Sequence, residues 1–128
     1  TMSPTHVLLV DDEEIFTRNI AKLLAHRGYR VTAVSSGDAA IRALEEQPFD
    51  VLVLDLKMPG LDGIATFREM LKLGLSVETI ILTGHGSIDT ALEAVKLGAH
   101  DYLTKPCEIE ELVAKIESAR GKGRGKRP

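Results

Sequence analysis

Short apolar segments alternate along this chain with segments in which apolar residues repeat every three to four positions. The spacing of Phe16, Ile20, Leu23 and Leu24 illustrates the second kind, which is typical of amphipathic helices. The short segments are aliphatic or β-branched and too brief for helices, so they are predicted to be buried strands. They lie at residues 7–10, 31–34, 51–54, 79–82 and 102–103.

Capping and helix-breaking residues mark the ends of the five intervening helices. The boundaries are Gly28 after the first, Ser35 or Ser36 to Pro48, Asp62 to Gly74, Ser87 to Gly98, and Pro106 before the fifth. Strict alternation of strands and helices requires a parallel sheet covered on both faces. With right-handed crossovers, the predicted fold is a doubly wound (βα)5 α/β domain with the flavodoxin-like strand order 2-1-3-4-5.

The charge of the chain divides into two unlike parts. All 19 acids and 11 of the 16 basic residues lie within residues 1–119, whereas residues 120–128 carry five basic residues and no acid. We therefore predict a domain at 5–119, followed by a disordered, basic, glycine-rich tail at 120–128 that acts as a linker and not as a DNA-binding element. No apolar run is long enough for a membrane span and no signal peptide is visible. The single cysteine, Cys107, suits a reducing cytoplasm.

Polar residues follow four of the predicted strands. Asp11 and Asp12 follow the first strand, Asp55 ends the third, Thr83 ends the fourth and Lys105 follows the fifth. Because ligands bind at the carboxyl ends of the strands in such sheets, these side chains are expected to converge. The simpler interpretation is that the aspartates and the threonine cap helices while the lysine is a surface residue.

Three converging carboxylates repel one another unless a cation joins them. A site with only oxygen ligands favours a hard ion such as Mg²⁺. A hydroxyl and an ammonium facing that ion suit a phosphoryl group, and an aspartate can itself be the nucleophile that accepts it. The pattern therefore indicates magnesium-dependent phosphoryl chemistry.

Four motifs connect these positions to a known family. They are VLLVDDE at 7–13, DLKMPGLDG at 55–63, TGHG at 83–86 and GAHDYLTKP at 98–106. Over residues 5–119 the chain resembles the receiver domain of bacterial two-component response regulators. The last two motifs are most similar to receivers that precede NtrC-like AAA+ or helix-turn-helix transcription modules.

The resemblance implies a role for each acidic residue of the site. Asp55 would accept the phosphoryl group from the phosphohistidine of a sensor histidine kinase or a phosphotransfer protein. Asp12 would bind Mg²⁺ directly, with Mn²⁺ as a substitute, and Asp11 would bind it largely through water. Asp55 and the backbone carbonyl of Lys57 would complete the protein ligands.

The resemblance also implies how phosphorylation is transmitted. Lys105, whose peptide bond to Pro106 is cis in the family, would pair with the phosphoryl oxygens. Thr83 would swing to the phosphoryl group and Tyr102 would turn inward. The surface formed by the fourth helix, fifth strand and fifth helix would change, and it would also be the surface of any homodimer.

Several residues are less informative. Lys57 and His85 occupy positions that tune the acyl-phosphate lifetime in the family, although both also suit ordinary loop residues. Cys107 stands where many relatives carry phenylalanine, and a redox role is not expected. The three other histidines have no ligand spacing and are predicted to be surface or packing residues: His6, His26 and His100.

The predicted function is therefore that of a cytoplasmic phosphoacceptor domain that controls a transcriptional output domain beyond the chain, and not that of an enzyme. A stand-alone receiver or phosphorelay intermediate is the alternative. A haloacid-dehalogenase-type phosphatase would need a second acid where Lys57 stands. A flavodoxin would place FMN phosphate beside the acids that follow the first strand, which would repel it. A degenerate receiver would lack residues that are all present.

Overall fold

The computed structural model describes residues 4–57, 62–84 and 87–125 of the chain. Strands and helices alternate strictly, as predicted. The elements are β1 His6–Val10, α1 Glu14–His26, β2 Arg30–Val34, α2 Gly37–Glu46, β3 Val51–Asp55, α3 Gly63–Lys72, β4 Glu78–Thr83, α4 Ile88–Leu97, β5 Asp101–Thr104 and α5 Ile109–Gly125. Among the described residues, no helix is both long and apolar enough to cross a membrane.

The strands form one parallel sheet with the order β2-β1-β3-β4-β5, which confirms the predicted fold class. The register pairs Val10 with Leu54 and Asp55 with Leu82, so the carboxyl ends of β1, β3 and β4 lie at the same edge. Thr83 pairs with Thr104, the last residue of β5. The residues that follow these strands are thereby brought to a common edge.

Successive residues of the central strands point to opposite faces of the sheet, and each face is covered by different helices. On one face, Leu8 and Leu52 pack in a cluster that includes α2, α3 and α4 residues. On the other face, Leu9 and Val53 pack with residues of α1 and α5. Because β1 and β3 are buried on both faces, their sequences are continuously apolar at residues 7–10 and 51–54.

The two outer strands differ from the sequence prediction that all five strands are buried. In β2, Arg30 and Ala33 are exposed and the other residues are half-buried. In β5 only Leu103 is buried. Both strands lie at the edges of the sheet, where each has a single neighbouring strand.

The helix ends follow the capping residues found in the sequence. The Ser36 hydroxyl accepts the Ala39 N–H at 3.1 Å, and Asp62 Oδ1 accepts the Ala65 N–H at 2.9 Å. After α4, Gly98 has a φ of +123°, a conformation that glycine adopts without strain. The side chain of Ser87, the predicted cap of α4, makes no cap hydrogen bond within the described part of the chain.

The last helix is longer than the sequence suggested. A disordered segment was expected from residue 120, whereas α5 continues to Gly125. Arg120 Nε donates to Glu117 Oε1 at 2.8 Å one turn earlier, which supports the helix across residue 119. Lysine and arginine are good helix formers, and their charge is favourable at a helix C-terminus. These effects oppose the cost of the glycines. The domain boundary at residue 119 stays a prediction.

Candidate functional site

Three aspartates meet at the carboxyl edge of the sheet. Asp11 follows β1 directly and is 1% exposed, and Asp55 ends β3 and is 4% exposed. Asp12 is exposed at the rim. Each of the three carboxylates offers an oxygen, and these oxygens lie within 4.8 Å of one another. The convergence predicted from the strand ends is therefore present.

Local hydrogen bonds fix the two buried carboxylates. Asp11 Oδ1 accepts the backbone N–H of Glu13 at 2.9 Å, which holds the turn into α1. Asp55 Oδ1 accepts the N–H of Lys57 at 3.3 Å. The Lys57 side chain is exposed. The second oxygen of Asp11 accepts a hydrogen bond from Lys105, whereas the second oxygen of Asp55 has no hydrogen-bond partner among the described residues.

The first residue of α3 lies directly against the backbone of Asp55. A Cβ built on Gly63 would be 2.2 Å from the Asp55 carbonyl oxygen and 2.5 Å from the Leu56 Cα. The Gly63 N–H also donates to the Leu56 carbonyl oxygen at 3.1 Å. A side chain at this position would displace either the helix or the strand end that carries Asp55, so the site requires glycine here.

Lys105 brings the positive charge to the site. Its Nζ lies 2.8 Å from Asp11 Oδ2, 2.5 Å from Glu13 Oε1 and 3.9 Å from Asp55 Oδ1. The ammonium also lies 4.4 Å from the centre of the Phe16 ring, within the range of a cation–π contact. The Lys105–Pro106 peptide bond is cis, as the resemblance implied.

The electrostatics of the site are those of crowded negative charge. Burial and the nearby Asp11 carboxylate raise the pKa of Asp55 to about 6, even though Lys105 opposes the shift. Burial by itself would lower the pKa of Lys105, but its hydrogen bonds to Asp11 and Glu13 outweigh burial and raise that pKa. Lys105 therefore carries its positive charge permanently. A further positive charge beside Asp55 would stabilise the charged form of this carboxylate.

The two predicted switch residues lie farther along the same edge. Thr83 is fully buried, and its hydroxyl donates to the Gly84 carbonyl oxygen at 3.2 Å. Tyr102 is partly buried and packs against the cluster on the α2–α3–α4 face of the sheet. The backbone N–H of Lys105 donates to the Thr83 carbonyl oxygen at 2.8 Å, which connects the end of β4 to the lysine.

Sequence reasoning missed two residues of the site, Glu13 and Phe16. An acidic residue next to the start of a helix favours that helix through its dipole, and both Glu13 and Glu14 stand there. The Glu13 carboxylate instead contacts Lys105 and makes no side-chain cap hydrogen bond in the described region. Glu14 lies in the first turn of α1 and pairs with Arg18 at 3.2 Å. The spacing of four residues between Glu14 and Arg18 is a local signal for that pair, but nothing in the local sequence points to a contact between Glu13 and Lys105, because that contact depends on where α1 meets Lys105.

Other predicted positions do not join the cluster. His85 and residues 58–61 of the DLKMPGLDG motif lie outside the described residues. Cys107 is half-buried, and burial raises the pKa of its thiol, which agrees with a packing role. His6 is buried against Phe49, and His26 is exposed.

The donor set fits a hard divalent cation. The cluster of Asp11, Asp12 and Asp55 offers only oxygen ligands. Such ligands suit Mg²⁺ or Mn²⁺ and not a soft metal. Burial and the neighbouring Asp11 carboxylate both raise the pKa of Asp55, so a cation beside this carboxylate would stabilise its charged form. The residues present therefore fit a cation at this edge.

Comparisons with known proteins agree with this site. The family model for the response regulator receiver domain matches residues 7–117. The transcriptional regulatory protein ZraR of Escherichia coli is 39% identical over 113 residues, which are 88% of this chain and 26% of ZraR. FixJ of Bradyrhizobium diazoefficiens is 40% identical over 114 residues, 89% of this chain and 56% of that protein. The chain thus spans about a quarter to about half the length of these relatives.

Solved structures give the same result. A response regulator receiver domain protein from Clostridium thermocellum superposes with a TM-score of 0.88 at 37% identity, covering 94% of this chain and 97% of the other. Matches in sequence and in fold thus extend over nearly the whole chain, including the strand ends that carry the acidic cluster. This chain belongs to the response regulator receiver domain family.

Proposed function

We propose that Asp55 accepts a phosphoryl group from the phosphohistidine of a sensor histidine kinase or a phosphotransfer protein. The observation that carries the proposal is the position of this buried carboxylate. Asp55 lies beside two further carboxylates and 3.9 Å from the Lys105 ammonium, at the edge of the sheet where ligands bind. Its second oxygen is available as a nucleophile.

Asp11, Asp12, Asp55 and the backbone carbonyl of Lys57 would hold Mg²⁺, with Mn²⁺ as a substitute. When bound, the ion would supply positive charge beside the transferring group. The support for this assignment is the donor set and the spacing of the three carboxylates.

In the proposed reaction, an Asp55 carboxylate oxygen forms a bond to phosphorus while the phosphorus–nitrogen bond of the phosphohistidine breaks. The electron pair of that bond stays on the imidazole nitrogen, which takes up a proton. Lys105 would pair with a phosphoryl oxygen, since electrostatic stabilisation and positioning dominate phosphoryl transfer. The domain would change only its own phosphorylation and would not turn over a separate substrate as an enzyme does.

Phosphorylation would then act on the surface formed by α4, β5 and α5. Thr83 would leave its local bond to Gly84 for the phosphoryl group, and Tyr102 would move toward the space that Thr83 vacates. The support is that Thr83 is buried at the end of β4 and that Tyr102 is only partly buried in β5. The altered surface would contact an output domain or form a homodimer.

The output is proposed to be transcriptional. The relatives ZraR and FixJ are named transcriptional regulatory proteins and are longer than this chain. Their names support an output domain outside this chain and a cytoplasmic location. DNA binding would belong to that output domain, and residues 120–128 would connect it to the receiver. A stand-alone receiver that acts through protein contacts is the alternative.

The acceptor assignment is tested with acetyl phosphate as the phosphodonor and Mg²⁺ present. We expect the parent protein to gain the mass of one phosphoryl group, and Asp55→Asn to gain none. Asp38→Asn is the control, because Asp38 is an exposed acid in the first turn of α2. The parent should lose labelling when a chelator removes the metal. Undiminished labelling of Asp55→Asn would show that another residue accepts the group.

Lys57 and His85 are proposed to tune the lifetime of the acyl phosphate, from their positions two residues after Asp55 and Thr83. The dephosphorylation rates of His85→Ala and the parent should differ. Equal rates would show that the His85 side chain does not affect the lifetime of the acyl phosphate.

A further inference from the structure

The ammonium of Lys105 lies closer to Asp11 and Glu13 than to Asp55. Its two short contacts are to Asp11 Oδ2 at 2.8 Å and Glu13 Oε1 at 2.5 Å, whereas Asp55 Oδ1 is 3.9 Å away. The Phe16 ring lies 4.4 Å from the same nitrogen. The lysine that would neutralise the phosphoryl group is therefore bound first to other partners.

Glu13 differs from the other carboxylates around this lysine. It lies outside the cluster of three aspartates that offers a metal site. Its side chain is 63% exposed and makes no cap hydrogen bond to α1 within the described residues. The contact with Lys105 is thus the interaction that its carboxylate makes in the site, across 92 positions of sequence.

We infer that Glu13 is a positioning residue that retains Lys105 in the unphosphorylated protein, so that an arriving phosphoryl group must compete with Glu13 for the ammonium. This inference rests on the proposed phosphoacceptor role of Asp55. Phe16 supports the retained position through its ring face. Removing the Glu13 charge would leave Lys105 with one short carboxylate contact, to Asp11, instead of two, and so would lower the cost of moving the ammonium toward Asp55.

The expected size of the effect follows from the exposure of the pair. Contacts between an exposed carboxylate and an ammonium change an equilibrium by a factor of up to about five. Lys105 is largely buried although Glu13 is exposed, so we expect the contact to change the affinity for a phosphoryl mimic by a factor of about two to five. The Glu13→Gln variant keeps the size of the side chain and removes its charge.

The test measures binding of beryllofluoride, which mimics a phosphoryl group on an aspartate, at saturating Mg²⁺. Glu13→Gln should lower the Kd two- to fivefold relative to the parent. Glu14→Gln is the matched control, because it makes the same charge change on the adjacent residue, whose carboxylate contacts Arg18 instead. Its Kd should stay close to that of the parent. Equal Kd values for the two variants would overturn the inference.

A double variant shows whether Glu13 affects beryllofluoride binding through Lys105 or only through the net charge of the site. In a Lys105→Gln background, adding Glu13→Gln should leave the Kd for beryllofluoride unchanged. If the two- to fivefold gain persisted there, Glu13 would act on the anion directly and the inference would be wrong.

A measurement on the unloaded, metal-free protein keeps this inference distinct from the proposed function. The NMR resonance of the Lys105 side-chain amine should shift in Glu13→Gln and not in Glu14→Gln. An unshifted resonance would overturn the retention of Lys105 by Glu13. If the parent failed to bind beryllofluoride at all, the proposed acceptor role would fail, whereas the amine resonance would still report on the contact itself.

Discussion

Replacing Gly63 by alanine would place a methyl group against the backbone that carries Asp55. The new Cβ would lie 2.2 Å from the Asp55 carbonyl oxygen, whereas carbon and oxygen atoms in close non-bonded contact are about 3.3–3.6 Å apart. The separation must therefore grow by about 1 Å. The Asp55 carbonyl oxygen belongs to the backbone, and the position of the new Cβ is fixed by the backbone of α3. No side-chain rotation can relieve the contact, so either α3 or the end of β3 must move.

The cost can be derived from this geometry. Adding a carbon to a well-packed interior costs about 1–3 kcal/mol, and we take the upper end because backbone must move. Alanine regains up to about 1 kcal/mol over glycine in a helix. We therefore expect Gly63→Ala to lower the free energy of unfolding by about 2 kcal/mol, and the Tm by about 8 °C for a chain of 128 residues.

Urea unfolding followed by circular dichroism measures this difference. Gly84→Ala is the matched control at the same edge of the sheet, because a Cβ at Gly84 meets no atom of the described residues within 4 Å. Its free energy of unfolding should change by less than about 0.5 kcal/mol. If Gly63→Ala were as stable as Gly84→Ala, the close approach of α3 to Asp55 would not constrain the site, and the reasoning would be refuted.

Three further outcomes are expected. With a chelator present, Asp55→Asn should stabilise the protein above pH 6 by up to about 3 kcal/mol, because burial and Asp11 raise the pKa of Asp55 to about 6. The parent loses this stability as the pH rises from about 4 to about 6. In urea unfolding, Asp55→Asn and the parent should therefore have the same free energy of unfolding below about pH 4. Burial lowers the pKa of His6 below 6.5, so the contribution of His6 to stability is lost as the pH drops below 6.5, opposite in sign to that of Asp55. His6→Gln should therefore gain stability relative to the parent as the pH drops below 6.5; an unchanged difference between the two proteins across this range would contradict it. Thr83→Ala should accept the phosphoryl group but lose the NMR shifts in α4, β5 and α5; a full response would refute its switch role.

The fold was predictable because its signals are local and repeated. Apolar segments of strand length alternate with helical periodicity, and Ser36 and Asp62 cap helices where the sequence indicated. The alternation and the right-handed crossovers lead to the strand order, and in that order the residues after β1, β3 and β4 must lie at one edge of the sheet. The placement of Asp11 and Asp55 is therefore a consequence of topology.

The burial of individual strands was less predictable. The apolar residues of β2 resemble those of β1, yet β2 lies at the edge of the sheet and is partly exposed. Composition alone does not tell an edge strand from a central one, because burial depends on the neighbours on both sides. Similarly, the extension of α5 to Gly125 depends on whether the basic residues stabilise the helix more than the glycines destabilise it. The composition of residues 120–128 does not show which effect is larger.

The sequence by itself determined the topology and the group of residues at the carboxyl edge of the sheet, because alternation and strand ends are read locally. The tertiary structure alone decided which glutamate lies beside Lys105. Glu13 and Glu14 are adjacent and chemically identical, but only Glu13 lies beside Lys105, while Glu14 lies beside Arg18. That difference arises from the direction in which α1 leaves the sheet relative to the loop after β5, so contacts between distant segments decide it.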